Sequence, residues 1–132
     1  QLEDKFGTNI DAEFFNDSVR TMLATPKRDK MWGQFDYIDS MGLFDYLTTP
    51  VAKAVLEKLY QILKIGGEMA IGNFHISNPS RFYMEYWLDW VLYYRTEHEF
   101  INLLKNTHSA ATKVLFEDTG SQMFLQVRKF EN

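Results

Sequence analysis

Three stretches of the chain place apolar residues at helical spacing. The first follows the polar cluster Asn16–Ser18, and the longest follows Thr49 and Pro50, which are typical of a helix cap and a first helical position. The third begins after Pro79 and is rich in aromatic residues. We predict one helix in each stretch. Their apolar positions are, in order, Val19, Met22 and Leu23; Val51, Val55, Leu59, Ile62 and Leu63; and Tyr83, Met84, Trp87, Leu88, Val91 and Leu92.

Shorter apolar runs between these helices predict strands at Ile10–Phe15, Phe35–Met41 and Glu68–Phe74. A strand, a helix and a strand in succession form a right-handed crossover, so the last two strands should be parallel neighbours. Near the end, "TKVLFEDTG" and "SQMFLQVRKF" are typical of an antiparallel hairpin with its turn at Asp118–Ser121. The chain therefore predicts an α/β fold, with a mostly parallel sheet, a C-terminal antiparallel hairpin and helices on both faces.

Local signals mark two helix boundaries. Lys64 in the last turn of the long helix would favour its dipole, and Gly66 can adopt the left-handed conformation that ends a helix. Gly67 then allows a tight entry into the next strand. Thr96 and Glu99 have the spacing of a capping box, which predicts a further helix. Its apolar positions are Phe100, Ile101, Leu103 and Leu104.

Composition excludes several classes of protein. The 132 residues suffice for one domain with a core, and the net charge of -4 disfavours a nucleic-acid binder. The one dense basic cluster, Lys27–Lys30, is interrupted by Asp29 and is typical of a solvated loop. Zero cysteines exclude a disulfide scaffold and a thiol nucleophile. No apolar run is long enough to span a membrane and no signal pattern opens the chain, so we expect a cytoplasmic protein.

Polar side chains follow each of the three predicted strands. Asp17 and Ser18 follow the first, Asp39, Ser40 and Gly42 end the second, and Asn73, Phe74 and His75 end the third. Because ligands bind beyond the carboxyl ends of parallel strands, we expect these groups to converge on one site. The alternative for each group alone is structural, since Asp17 and Ser18 are also typical helix caps.

Two other kinds of chemistry fit the residues less well. Ser40, His75 and an aspartate are the components of a hydrolase triad, but the glycine that a nucleophile elbow needs is replaced by Ile38. Asp39, His75, Glu97 and His98 carry metal-binding atoms without the spacing of a helical zinc site, so we expect no metal.

The aromatic helix has two interpretations. Most aromatic stripes at helical spacing belong to a core, whereas tyrosines with polar tips also line pockets for apolar or aromatic acceptors. The residues concerned are Tyr83, Tyr86, Trp87, Trp90, Tyr93 and Tyr94.

The motifs "FDYIDSMGLFDYL" and "LKIGGEMAIGNF" resemble the fourth strand, the following helix and the fifth strand of class I S-adenosylmethionine-dependent methyltransferases. The junction Leu-Lys-x-Gly-Gly is typical of that family, although Ile65 stands where proline is usual, and the closing hairpin resembles the sixth and seventh strands. More narrowly, "GLFDYL" with "GNFHISNPSRFYMEYWLDWVLYYRTE" is similar to bacterial methyltransferases of extracellular-factor 3-hydroxypalmitic acid methyl ester biosynthesis. The narrower resemblance implies a fatty-acid carboxylate or a similar small acid as the small-molecule acceptor.

The resemblance implies roles for individual residues. Asp17 and Ser18 would sit by the adenine of S-adenosylmethionine. Asp39, Ser40, Met41 and Gly42 would border its sulfonium end. Asn73, Phe74 and His75 would face the acceptor, with His75 as a base, and the pocket wall would include Tyr83 and Trp87.

The family's glycine-rich loop has no counterpart here, because only Gly7 and Gly33 precede Gln34. Residues 1–132 therefore resemble a single partial domain, the C-terminal part of a methyltransferase that begins just before the third strand and is inactive alone. Exposed strand edges would then favour a homodimer or a swapped oligomer. The alternative function is a non-catalytic interaction or regulatory domain that retains the α/β scaffold.

Overall fold

The computed structural model describes residues 11–24, 33–104 and 110–130, and within them a four-stranded sheet. Its strands are β1 (Phe35–Ser40), β2 (Leu63–Phe74), β3 (Ala110–Phe116) and β4 (Gln122–Lys129), in the order β1-β2-β4-β3. β1 pairs with β2 in parallel, and β4 runs antiparallel to both β2 and β3. The predicted α/β fold, its parallel pair and its C-terminal hairpin are confirmed.

The helices are α1 (Val19–Ala24), α2 (Thr49–Ile62), α3 (Arg81–Trp87) and α4 (Glu97–Ile101), with 3-10 turns at Phe44–Tyr46 and Asn102–Leu104. The capping box at Thr96 and Glu99 is present as predicted. Thr48, one residue earlier than expected, occupies the cap of α2. No helix among the described residues is long and apolar enough to cross a membrane.

One face of the sheet carries the core. Met69 and Ile71 of β2 and Leu125 and Val127 of β4 lie buried there, because alternate residues of a strand point to the same side. α2 and α4 pack over them through side chains that include Val55, Leu56 and Phe100. α1 packs against the same core through Val19, Met22 and Leu23.

The opposite face of the sheet is partly exposed among the described residues, with Ala70 buried within it. Tyr37, Glu68, Gln126 and Arg128 line a shallow groove of about 190 Å³ across it. The sequence predicts helices on both faces, and the described helices that reach the core cluster join it from one face. This exposed face therefore offers packing surface for a second layer.

The glycine pair after α2 shapes a bulge, not a helix end. Phe35 pairs with Leu63 but Tyr37 pairs with Glu68, so the residues between Leu63 and Glu68 bulge out of the ladder. Gly66 sits there at a φ of 82°, a conformation that side chains disfavour. A Cβ on Gly67 would lie 2.9 Å from the Lys64 carbonyl oxygen, so only glycine fits without displacing the backbone.

The predicted place of Lys64 in the last helical turn is wrong. α2 ends at Ile62, and Lys64 already belongs to β2. Its ammonium lies 2.8 Å from the Asp36 carboxylate of β1 instead. The cation therefore supports the pairing of β1 with β2 and not the helix dipole.

The predicted strand at Ile10–Phe15 is wrong for the residues that the structure describes. The chain from Asp11 to Asp17 has no regular structure, and Phe14 and Phe15 are exposed. A strand needs a neighbour for its backbone groups, and an apolar run without one has no reason to extend. Ile10, Gly7 and the basic cluster Lys27–Lys30 lie outside the described residues.

The aromatic helix is shorter than its apolar pattern. α3 stops at Trp87 because Asp89 adopts a φ of 49°, which ends a helix. The amide of Trp90 then donates to the Met84 carbonyl at 2.9 Å, closing the end of the helix. Val91 and Leu92 therefore belong to an extended segment that runs to Arg95, named here the strap (Leu88–Arg95).

Candidate functional site

The candidate site lies at the edge of the sheet where β1 and β2 end. Because the two strands are parallel neighbours, Asp39 and Ser40 lie beside Ala70 and Ile71, and Asn73 lies three residues after Ala70 on β2. Two of the three predicted polar clusters therefore meet at one edge. Gly42 turns the chain away from β1 with a φ of 81°.

The residues after β1 are accessible. Asp39 and Met41 are exposed, and Ser40 and Gly42 are half-buried. The Met41 sulfur would lie 3.1 Å from a Cβ placed on Gly72, so the absence of a side chain at Gly72 lets Met41 lie over β2. This arrangement leaves an open carboxylate beside a thioether at the end of the strand.

The remaining predicted cluster, Asp17 and Ser18, does not follow a strand. The Ser18 hydroxyl accepts a hydrogen bond from the Thr21 amide at 3.1 Å, and α1 begins at Val19. Ser18 thus has the capping geometry that was its structural alternative. Asp17 is exposed just before it.

Asn73 is fully buried, and its side chain holds the strap. Its amide nitrogen donates to the carbonyl oxygens of Tyr93 and Phe74, each at 3.0 Å. Its amide oxygen accepts a short hydrogen bond from Arg95. The group predicted to face an acceptor is therefore occupied by three internal contacts.

Arg95, only 4% exposed, links the strap to the loop after β1. Its guanidinium donates to the carbonyl oxygens of Phe44 at 2.8 Å and Leu47 at 2.6 Å. The Arg95 amide donates to the Phe74 carbonyl at 3.2 Å, so backbone and side chain both join the strap to the end of β2. Burial lowers the pKa of Arg95, an effect that the nearby Asp45 charge opposes.

Asp45 is the anionic member of this buried cluster. Its carboxylate accepts from the Phe74 amide at 2.7 Å, and its carbonyl accepts from the Tyr93 amide at 2.7 Å. Burial raises the pKa of Asp45, while the Phe74 hydrogen bond and the Arg95 charge act in the opposite direction. Asp45, Asn73 and Arg95 together form what we name the polar clamp.

His75 follows β2 and is half-buried. Its Nδ1 accepts from the Ser77 amide at 3.2 Å and lies 2.6 Å from the Ser77 hydroxyl, while Phe116 packs edge-on against the ring at 5.2 Å. Since an amide can only donate, Nδ1 is the acceptor and the neutral ring carries its hydrogen on Nε2. In this arrangement His75 presents a donor, whereas a base would need Nδ1 to leave Ser77. The contact with Ser77 also directs this nitrogen away from the role that a triad with Ser40 would require.

The aromatic side chains do not form a core wall. Tyr83 and Trp87 are exposed on α3, and Met84 is its one buried residue. Phe74 lies 6.3 Å from Tyr94, ring centre to ring centre, and the indole N–H of Trp90 donates to the Tyr46 hydroxyl at 2.8 Å. The core interpretation is therefore wrong for α3 itself, which carries its rings outward, and the lining of an acceptor pocket stays a prediction.

A polar cleft of about 280 Å³ lies beside the clamp, between the strap and the starts of α2 and α4. Its lining is Thr49, Lys53, Tyr93, Tyr94, Arg95, Glu99 and Asn102. No group of three or more side chains able to hold a metal ion occurs among residues 11–24, 33–104 and 110–130.

Sequence reasoning missed the polar clamp. In the sequence, the charge of Arg95 interrupts an apolar pattern, and Asp45 is the only acidic residue of "GLFDYL". A charge that interrupts an apolar stretch is a signal for a buried, paired side chain. The partner of each charge was not readable from spacing, because Asp45 and Arg95 lie 50 positions apart in the sequence.

A scan against models of protein families and a search of curated proteins both find no match. Solved structures do match. An O-methyltransferase family protein from Burkholderia thailandensis has a TM-score of 0.69 and 12% identity, covering 91% of this chain and 36% of its own. Magnesium protoporphyrin IX methyltransferase from Synechocystis, with bound S-adenosylhomocysteine (SAH), has a TM-score of 0.63 and 11% identity over 96% of this chain and 55% of its own.

A third similar structure is an S-adenosylmethionine-dependent methyltransferase from Methanosarcina mazei, with a TM-score of 0.53 and 15% identity over 76% of this chain and 61% of its own. This chain therefore spans between about a third and three-fifths of the structures it resembles. At these identities the likeness establishes the fold. The chain therefore shares its α/β fold with these methyltransferase structures.

Proposed function

We propose that this chain is the C-terminal part of a methyltransferase that transfers a methyl group from S-adenosylmethionine to a small-molecule acceptor. The observation that carries the proposal is the parallel pair β1 and β2, which brings Asp39–Gly42 and Asn73–His75 to one edge of a sheet. Ligands of open α/β sheets bind at such an edge. The structural neighbours support the class, since they are methyltransferases with this fold.

The residues after β1 fit one side of the cofactor. Asp39 is an exposed carboxylate able to accept hydrogen bonds from a ligand, and the turn at Gly42 carries no side chain that would block an approach. Asp39, Ser40, Met41 and Gly42 would border the sulfonium end, as the family resemblance implies. Asp17 and Ser18 would lie near the adenine, with Ser18 also capping α1.

When bound, the cofactor supplies an electrophilic methyl group on a sulfonium. The residues of this chain orient the acceptor and exclude water, the two effects from which such a displacement gains most of its rate. The polar clamp fixes the strap and the loop after β1 as one unit, so it positions both sides of the site without touching the reacting atoms. His75 Nε2–H would donate to an acceptor oxygen beside it.

The acceptor that we propose is a fatty-acid carboxylate, as the narrower resemblance implies. A carboxylate is ionised at neutral pH, so it needs a donor for orientation and no base. The inferred His75 tautomer supplies such a donor. Phe74 lies beside this position, and the exposed rings of Tyr83 and Trp87 offer apolar surface for a hydrocarbon chain.

The remainder of the site would come from preceding sequence that carries the glycine-rich loop. The outer edge of β1 has no strand beside it among the described residues, and it is the place for a strand of that half. In the isolated chain the same edge can pair with another copy, as the sequence analysis expects for a homodimer or swapped oligomer. We therefore expect the 132-residue chain to be inactive alone.

The experiment that tests the function measures transfer of a labelled methyl group from S-adenosylmethionine by a longer protein with its native upstream sequence. Long-chain fatty acids, their hydroxy derivatives and small phenols serve as acceptors. We expect fatty acids to be labelled, and Asp39→Ala to raise the KM for the cofactor about tenfold or more, the equivalent of one lost charge-assisted hydrogen bond. Labelling of phenols alone would refute the fatty-acid carboxylate as the acceptor. Labelling of none of these compounds would refute methyl transfer as the function.

A second candidate is a non-catalytic interaction domain on the same scaffold. The observation that favours it is the outward aromatic face of α3, which is a feature of binding surfaces. The upstream sequence discriminates the two, because an enzyme requires a strand followed by a glycine-rich turn.

A further inference from the structure

α3 exposes its aromatic side chains instead of burying them. Phe82, Tyr83, Tyr86 and Trp87 are between 59% and 80% exposed, and Phe82 and Tyr86 stack with their ring centres 6.5 Å apart. Leu88 and Val91 continue the exposed apolar surface into the strap. These six residues are named the aromatic patch.

The inner side of α3 carries the polar residues. Met84 is buried, but Arg81 and Glu85 are the half-buried residues of the helix and pair with each other at 2.9 Å. Arg81 also lies over the Tyr94 ring at 4.7 Å. A surface helix normally has the opposite distribution, with its apolar face inward. The inversion indicates that the outer face of α3 is itself a packing surface.

The size of the aromatic patch fits a second protein surface. A large aromatic side chain buries roughly 150–250 Å² when it is covered, so the four exposed rings offer about 500 Å². Leu88, Val91 and the partly exposed Trp90 bring the total to the order of 800 Å². That is the area that each partner contributes to a standard stable interface.

The charge of the patch permits it to face a copy of itself. None of its six residues is charged, and the adjacent Arg81 and Glu85 neutralise each other, while the exposed Asp89 adds a negative charge between Leu88 and Val91. A twofold interface places the same patch on both copies, so six uncharged residues can meet their copies without bringing like charges together. Tyrosine and tryptophan are also the residues that most often dominate interface energetics.

We propose that the aromatic patch is a self-association surface through which two copies of this chain pack α3 against α3 about a twofold axis. The proposal does not rest on the free edge of β1, but it shares Tyr83 and Trp87 with the proposed acceptor site, so a dimer through the patch would cover those two rings. Self-association would also cover the strap where Trp90 bonds to Tyr46 and Tyr93 bonds to Asp45. The dimer would therefore cover the loop after β1 on its solvent side, while the polar clamp contacts the same loop on its buried side.

The test is the mass of the 132-residue chain by light scattering and sedimentation over a range of micromolar concentrations. We expect twice the chain mass of 15.6 kDa at high concentration for the unaltered chain. Replacing Tyr86 and Trp87 together by serine should leave a monomer, with an unchanged circular dichroism spectrum because both side chains are exposed. Tyr37→Ser is the matched control, since Tyr37 is an exposed ring on the sheet and should not alter the mass.

Three outcomes would overturn the proposal. A monomer of the unaltered chain at high micromolar concentration would do so directly. A dimer that the double variant leaves intact, whether or not Tyr37→Ser dissociates it, would place association on the sheet or on the free edge of β1. A monomer that instead co-sediments with phosphatidylcholine vesicles, and loses this with the double variant, would assign the patch to a lipid surface.

Discussion

Replacing Arg95 by methionine tests the polar clamp most severely. Methionine keeps a long apolar stem but removes the guanidinium, which donates to the Phe44 and Leu47 carbonyls and to the Asn73 side chain. All three acceptors lie in the buried region between the strap and the loop after β1. The substitution thus leaves three acceptors without their donor and removes the positive charge near Asp45.

The expected loss follows from general magnitudes. A buried acceptor left without a partner costs about 1–3 kcal/mol, and the costs within one network are less than additive. The substitution also removes a favourable charge near the Asp45 carboxylate. We therefore expect Arg95→Met to lower the free energy of unfolding by about 3–5 kcal/mol, against a total of roughly 5–15 kcal/mol for a domain.

The assay is urea unfolding followed by circular dichroism and by tryptophan fluorescence. Arg81→Met is the matched control, because Arg81 is half-buried and its ion pair with Glu85 is a helical pair of the kind worth about 0.3–0.5 kcal/mol. Arg95→Lys should fall between the two, since an ammonium keeps the charge and loses the planar fork. A loss below about 1 kcal/mol for Arg95→Met, or one equal to that of Arg81→Met, would refute the clamp as a source of stability.

Three further predictions concern other parts of the fold. Gly67→Ala should lower the free energy of unfolding by about 3 kcal/mol in urea, because its Cβ would meet backbone oxygens. Gly66→Ala should lower it by about 1 kcal/mol, because its positive φ is the only obstacle to a side chain there. Glu117 has a pKa lowered to about 2, chiefly by hydrogen bonds from Thr119. The contribution of this carboxylate to stability should therefore be present above its ordinary pKa of 4.5 and be lost as the pH falls toward 2. Acid unfolding curves should show this loss in the unaltered chain and not in Glu117→Gln. Lys129 donates from a buried position to two carbonyl oxygens at the end of α2. Lys129→Met should therefore lower the free energy of unfolding by about 2 kcal/mol. An unchanged midpoint in urea unfolding would contradict this role of Lys129.

Elements with partners close in sequence were predictable. The crossover from β1 through α2 to β2 and the hairpin of β3 and β4 follow from periodicity and turn residues that act locally. The capping box at Thr96 is likewise complete within four residues. Local rules therefore suffice for the parallel pair that positions the candidate site, whereas the pairing of β2 with β4 joins distant residues.

Elements that depend on distant partners were not predictable. The run that ends at Phe15 has an apolar pattern but, among residues 11–24, 33–104 and 110–130, no strand to pair with, so its pattern alone was misleading. The pattern of α3 indicated a long buried helix, yet Asp89 ends it and its rings point outward. Periodicity shows which residues share a face, and it does not show whether that face is inward.

The candidate site shows the same division. Its position at the ends of β1 and β2 follows from the topology, and Asp39 and His75 were found as strand-end residues. The buried role of Asn73 and the clamp with Asp45 and Arg95 depend on the path of the strap, which no local pattern encodes.

The measurement that tests the central claim most directly is calorimetric titration of SAH into this chain and into the same protein extended by its native upstream sequence. We expect the longer protein to bind SAH, Asp39→Ala to weaken that binding, and the 132-residue chain to show no measurable binding. Absence of binding in both proteins would contradict the methyltransferase function and leave the interaction domain as the function of this fold.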